Sequence, residues 1–444
     1  MASWLLRNWE KLAFGLALLL AIFVYGYLAG ARGWFPASYI RPLEITADEL
    51  IDEVRKETRT RSEYLRPTSR TQGGLVASDP SRAFDGYTFI TAYRDGRFGA
   101  SLLDMQGNTV HKWDVAISQA YPNGPPPHLK QLPPDQDANV HGAELLPNGE
   151  VLLNLFSTGT VKLDRCSKIE WVLPLRTHHA LEPLGDGTYI APMSRTGKEP
   201  KGEFPRVGPS EAGAYADDGM VRFDSDGKVL REASIIDILR DSGWDEIFVM
   251  GSGSENQVRI DDPVHMNKIG VLDPAMADRF PLFKAGDLVV SMRRPSTVVV
   301  LDGETWQVKW GTSGQFHMQH DPSFTPEGTI LIYDNNVTID KKMAARSRII
   351  EIDPTSQKVV WSYDGGKDAP FYAYRRGTVR LLPNGNVLVT DPEEGRIFEV
   401  ARHNGDDIVW DWVNLSSEPG FAGLVIDAKR YPPDFVNFLN QPCG

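Results

Sequence analysis

Two cysteines, Cys166 and Cys443, are all that 444 residues contain, too few for a disulfide framework or a Cys-rich metal cluster. One disulfide in an oxidising compartment or two free thiols fits such a pair equally well. CxxC, HExxH and close His-x-His spacings are missing, so no metal and no cofactor is expected. Runs of Lys and Arg are missing as well, and with a net charge of −12 this argues against a nucleic-acid binder. An anionic small substrate stays open, because a basic pocket can sit in an acidic body.

Long apolar runs are absent with one exception. Residues 12–30 are nineteen uncharged, mostly apolar residues preceded by Arg7 and Lys11, enough to span a bilayer core of about 30 Å. The flanking charges place residues 1–11 in the cytoplasm and the body across the inner membrane, in the periplasm. Ala29-Gly30-Ala31 has the form of a signal-peptide cleavage site, but the run is long for a signal peptide, and an uncleaved anchor is the reading adopted. Residues 31–72 then read as stalk and linker, with a short charged helix over 45–59 opened by Thr46 and Glu49 as a capping box.

What the rest holds is repetition. Asp104, Asp164, Asp224, Asp302 and Asp353 each open a turn followed by a short strand, and His403 opens a sixth. Five copies end in Trp (Trp113, Trp171, Trp310, Trp361, Trp410), while the third has Arg231-Glu232 instead. A second turn unit precedes most copies, as in LLPNGEVLL (145–153) and LLPNGNVLV (381–389). About four short strands per repeat, recurring at roughly 40–57 residues, predict an all-β six-bladed β-propeller over residues 73–415. Residues 416–444 are expected to close it, as a plug or seal to which Arg430 could add a site contact. A gap between the third and fourth repeats is filled by a Gly/Pro-rich loop, residues 195–218, and a helical segment near residues 234–240.

Counting back eight residues from the turn glycines Gly149, Gly187 and Gly328 lands on His141, His179 and His320. His265 begins the corresponding strand of the fourth repeat, and in the sixth the slot is Gly377, flanked by Arg375, Arg376 and Thr378. These slots start the innermost strands, so four imidazoles converge on the central channel. His178 is expected on the other side of its strand from His179. Asn267, two residues beyond His265, shares its strand face, and Arg293 and Arg294 follow on the next strand. Histidine, asparagine and arginine in one channel suit a tetrahedral oxyanion, which a guanidinium grips with paired donors.

The stretches His265-Met-Asn267, Val289 to Arg293, Gln319-His320 and Gly328 to Asn335 resemble the bacterial arylsulfotransferases. That resemblance implies a PAPS-independent transfer of a sulfuryl group from an aryl sulfate to a phenol. It makes His320 the nucleophile, forming a sulfohistidine, with His265, Asn267 and Arg293 on the sulfuryl oxygens and His179 as acid or base. His141, Asn335 and Arg376 are expected to bind substrate. The family's amino-terminal β-sandwich has no counterpart here; a membrane helix stands in its place.

A non-catalytic propeller, serving as scaffold or accessory subunit to a membrane protein partner, is the alternative, because one fold hosts many roles. A quinoprotein-like dehydrogenase would draw on the repeated Trp residues, but outer-strand positions suit packing between blades better.

Overall fold

The computed structural model describes residues 2–32, 61–195, 217–244, 247, 262–337, 346–367, 369–441 and 443. They fall into two units, residues 1–62 and 63–444. In the first, one helix covers Ala2–Arg32, and its stretch Asn8–Ala29 is long and apolar enough to cross a membrane. The expected stalk helix lies outside the described residues, as does most of the Gly/Pro-rich loop.

The second unit is the six-bladed propeller: six antiparallel sheets of four or five strands, beside a two-stranded pairing of Leu65–Pro67 with Phe421–Gly423. Valine, isoleucine and leucine dominate the middle strands, such as Leu288–Met292 and Thr297–Leu301, both fully buried, because sheets packed face to face bury both sides. Between the third and fourth strands the repeated aspartates close their turns. Oδ1 of Asp164 accepts the backbone N–H of Cys166 and of Lys168, and Asp224 does the same for Asp226 and Lys228, as turn aspartates do.

The outer-strand tryptophans hold blade to blade. Trp113, Trp171, Trp310 and Trp410 donate their indole N–H to carbonyls of Gly149, Ser225, Pro354 and Met105 in turns of the next blade, at 2.9–3.0 Å. In the third repeat Arg231 fills the role. Its guanidinium donates to the carbonyls of Glu304 and Thr305 and lies 3.7 Å over the Trp306 ring, a cation–π contact added to the latch.

The ring closes at two places. Gly74–Ser78 forms a fifth, outermost strand of the sixth blade, and Val425–Tyr431 forms the innermost strand of the first, pairing with Tyr87–Arg94. Arg430 sits in that closing strand. Its guanidinium pairs with Glu399, donates to Thr88 and stacks 4.3 Å over Trp410. It is spent on the seam between blades and does not reach the histidines, contrary to the sequence expectation. Cys166 and Cys443 form a disulfide, with Cα atoms 5.6 Å apart, so the last turn of chain is tied to the second blade.

Candidate active site

Most site residues stand at or just before the start of an inner strand, while Arg293 and Asn335 follow the ends of the second strands Leu288–Met292 and Ile330–Asp334. The inner strands are Val140–Leu145, Glu182–Pro183, Met266–Val271, His320–Phe324 and Thr378–Leu381 in blades two to six. Regular alternation breaks there. His179 has φ 54°, His265 φ 51°, Asp321 φ 53° and Arg376 φ 66°, a left-handed conformation that non-glycine residues rarely hold. Register shifts follow between Met266 and Lys268 and between His320 and Ser323. Such bulges re-aim side chains, so the strand-face argument from simple alternation does not carry Asn267 and His265 to one spot.

His320 is buried. Its Nδ1 lies 2.6 Å from Oδ1 of Asn335, whose Nδ2 donates to the carbonyls of Ala373 and Arg376 at 2.9 and 2.8 Å. Since that amide nitrogen is committed to two acceptors, the oxygen must accept, and His320 carries its proton on Nδ1. Nε2 is then a lone pair facing the cavity, where the backbone N–H of Arg376 meets it at 3.2 Å. Burial, followed by the Arg293 charge, pushes the His320 pKa down to about 3, so the ring is neutral at physiological pH.

Gln319 sets this strand. Its amide nitrogen donates to Ser291 Oγ and to the carbonyls of Met292 and Thr297 in the fourth blade, and its own carbonyl accepts from Asn267 Nδ2 at 2.8 Å. A small cavity of about 40 Å³ is lined by His141, His179, Asn267, His320, Arg376 and Asp427, among others. His265 and Arg293 do not line it. The His265 ring lies 5.4 Å from that of His179, with Nδ1 bonded to Asp262, and the Arg293 guanidinium bonds the Tyr374 carbonyl. Asn335 stands behind His320, fully buried, and lines no part of the cavity.

Two arginines and two aspartates line the cavity, so its preference for an anion comes from donors without partners. Arg376 has Nε and Nη1 buried without a hydrogen-bond partner, and so has Nε of Arg293. Burial, with Arg375 next, pushes Arg376 down to about 10, still a cation at neutral pH. His141 and His179 are pressed well below the ordinary imidazole value, first by burial and then by nearby charges. Unpartnered buried guanidinium nitrogens are costly unless something accepts from them.

Asp321, Arg380 and Asp427 of the cavity lining belong to a belt of paired charges drawn from all six inner strands. Lys268 joins Glu182 at 2.8 Å and Asp321 at 3.6 Å, and Arg380 joins Asp321 and also Asp427 at 3.2 Å. Lys429, on the strand of Asp427, pairs with Glu144. Sequence reasoning missed this belt, although Glu144, Glu182, Lys268 and Arg380 each lie three residues beyond an identified slot.

His178 was also misplaced by alternation. It is buried, and its Nδ1 lies 2.8 Å from Nδ1 of His179. A wider surface depression of about 540 Å³, lined by Asp95, Arg97, Asp114 and Gln119 among others, contains none of these groups. Among the described residues no group of three or more His, Cys, Asp or Glu has metal-holding geometry.

No curated protein matches the chain. A solved protein of unknown function from Bacteroides caccae is similar over 78% of this chain and 99% of its own, at 10% identity and TM-score 0.47. The WD40 β-propeller domain of Doa1 covers 80% and 90% at 12% identity and TM-score 0.39. Neither likeness bears on chemistry. Residues 142–414, more than half the chain and including all the site residues but His141, match the family described as arylsulfotransferase (ASST); the chain belongs to that family.

Proposed function

We propose that the protein moves a sulfuryl group from an aryl sulfate to a phenol by way of a sulfohistidine on His320. The observation that carries this reading is the fixed tautomer: Asn335 accepts from Nδ1 of His320 and leaves Nε2 as a lone pair in a cavity beside an unpartnered Arg376. Nε2 attacks sulfur, the aryl oxygen leaves, and the Asn335 carbonyl stabilises the imidazolium proton on Nδ1. Arg376 and the second Nδ2 proton of Asn267 reach the sulfuryl oxygens from the cavity lining, and Arg293, whose Nε is unpartnered, and His265 act from beyond it. His179 gives a proton to the leaving phenolate and takes one from the incoming phenol. His141 lies 4.3 Å from the tilted ring of Phe156 and meets His179 edge-on at 5.0 Å, an aromatic surround that an aryl ring can pack against.

In this reading the anchor crosses the inner membrane with residue 1 in the cytoplasm, and the propeller works in the periplasm. The basic residues Arg7 and Lys11 and the Cys166–Cys443 disulfide support that placement.

The test is the full chain in detergent, supplied with 4-nitrophenyl sulfate and phenol. Nitrophenol release, phenyl sulfate formation and a sulfated His320 peptide are the expected results, all lost in His320→Ala. No turnover with a range of aryl sulfates would favour a scaffold role.

A further inference from the structure

The histidine pair at the start of the third blade has a connection that the transfer chemistry above leaves unused. In an extended strand, successive side chains point to opposite faces. His178 and His179 do not, because His179 holds φ 54° and so swings its ring back onto its neighbour's. Backbone in this region is strained for a non-glycine residue and clusters where function needs it. The outcome is the 2.8 Å contact between the two Nδ1 atoms, across which one ring must donate to the other.

Behind His178 stands a carboxylate. Nε2 of His178 lies 3.5 Å from Oδ1 of Asp218, within ion-pair reach. Asp218 is itself held still: Oδ2 accepts the backbone N–H of Met266 at 2.8 Å, and Oδ1 accepts from Ser194 Oγ at 3.1 Å. His178 is further fixed by its backbone N–H, which donates to the Pro192 carbonyl. Both His178 and Asp218 are buried.

We infer that Asp218, His178 and His179 form a proton relay, in which His179 exchanges protons with the phenol while the charge resides on His178 beside Asp218. This rests on the sulfuryl-transfer reading above. The loaded state carries imidazolium at His178, with Nδ1–H donating to Nδ1 of His179 and Nε2–H turned to Asp218. When the aryl C–O oxygen leaves sulfur, it takes the proton on Nε2 of His179. The proton on Nδ1 of His178 then moves to Nδ1 of His179, leaving both rings neutral. The incoming phenol gives its proton to Nε2 of His179, Nδ1–H of His179 returns to His178, and the phenolate oxygen attacks the sulfohistidine. One proton is lent and regained in each cycle, with no other donor or acceptor required.

The surroundings explain why the charge should not stay on His179. Its ring faces His141 of the second blade at 5.0 Å and His265 of the fourth at 5.4 Å, with His320 of the fifth nearby. Arg376 acts on His141 from the sixth blade, and the His265 side is balanced by Asp262. His178 is faced by His179, Ser194 and Asp218, and it acts on His141 from a distance. Among the described residues, Asp218 stands in ion-pair reach of His178, and no ion pair joins His179 to a carboxylate.

His178 touches no substrate and acts through His179, so the test needs a readout that a merely structural role would not move. The first-turnover release of phenol from phenyl sulfate and of nitrophenol from 4-nitrophenyl sulfate is followed against pH, for the full-length wild type, Asp218→Asn and His178→Gln. The loss in the variants should grow with the basicity of the leaving phenolate, reaching about a hundredfold or more for phenyl sulfate and far less for the nitrophenyl ester. For Asp218→Asn the pH above which phenyl sulfate cleavage declines should fall by about one unit or more. Asp218→Asn keeps the shape of its side chain and carries the test alone if His178→Gln does not fold. Equal loss with both donors and an unmoved pH profile overturns the relay, as does no loss at all. A wild type that forms no sulfohistidine with either donor defeats the transfer reading itself, and the relay with it.

Discussion

The backbone N–H of Arg376 points at Nε2 of His320 from 3.2 Å, so one blade supplies the imidazole and the next one caps its lone pair. In the proposed reaction a nucleophile capped by a main-chain N–H is held in aim, yet it must shed that bond before it can attack. Arg376 is therefore linked to His320 twice, through this N–H and through its carbonyl, which accepts from Asn335.

Replacing Asn335 by Ala removes the acceptor at Nδ1 and frees the wrong tautomer. A lost buried hydrogen bond to a developing charge is worth about 1.5–3 kcal/mol, so sulfurylation of the enzyme should slow by roughly tenfold to a hundredfold. Stopped-flow measurement of the nitrophenol burst, beside a thermal melt, would separate this from simple loss of stability.

Gly377 has φ +101°, and a Cβ there would come within 2.5 Å of the Tyr333 ring. Gly377→Ala should therefore push Arg376 away from His320. The expected outcome is a loss of activity larger than the loss of stability, with the rise in KM for the sulfate donor exceeding any change for the phenol. Steady-state kinetics with each substrate varied in turn would show it.

Stability should fall as the solution is acidified from pH 6.5 towards 4. The folded-state pKa of His320 lies at about 3, and those of His141 and His179 are also depressed. Below the unfolded imidazole value the unfolded chain binds these protons and the folded chain does not, so the stabilisation present above that value is lost on acidification. Asp391 works the other way, since burial, with Glu394 next, pushes its carboxyl up to about 7 and its contribution is lost as pH rises. His128 is lowered and Asp137 raised as well, so four imidazoles stand against two carboxyls and the histidines dominate. His320→Gln should flatten the slope of unfolding free energy by up to about 1.4 kcal/mol per pH unit, measurable by urea titration at several pH values.

Cys166→Ser opens the only covalent link between the carboxyl terminus and the second blade. Removing a native disulfide costs about 2–5 kcal/mol, and the wild type should lose a similar amount in reductant, while the variant should not respond to it. Denaturation with and without dithiothreitol checks both halves.

The blades were legible in the sequence because five of the six copies repeat an aspartate turn and five an indole donor, two local devices with fixed spacing. Arg231 shows the limit of that reading, since a guanidinium can serve as the donor where tryptophan is missing. The innermost strand of the first blade was not legible as such: Val425–Tyr431 has no turn unit of its own and finds its partner more than three hundred residues upstream. Within the site, counting from the turn glycines found His141, His179 and His320, because glycine spacing survives a bulge located upstream. Asp218, Asp262 and the His178–His179 contact escaped, since they depend on left-handed backbone at single residues, which no period of two or eight encodes.

The charged belt beside the histidines has a consequence for traffic. A phenol that has reached the cavity could leave by the far end only by parting ion pairs such as Arg380 with Asp427, and separating buried partners costs several kcal/mol. In the proposed reaction, the route opposite the belt then serves both the phenol that departs and the one that replaces it. For two aryl molecules sharing one such route, as the proposed transfer requires, turn-taking would follow from the architecture before any chemistry begins.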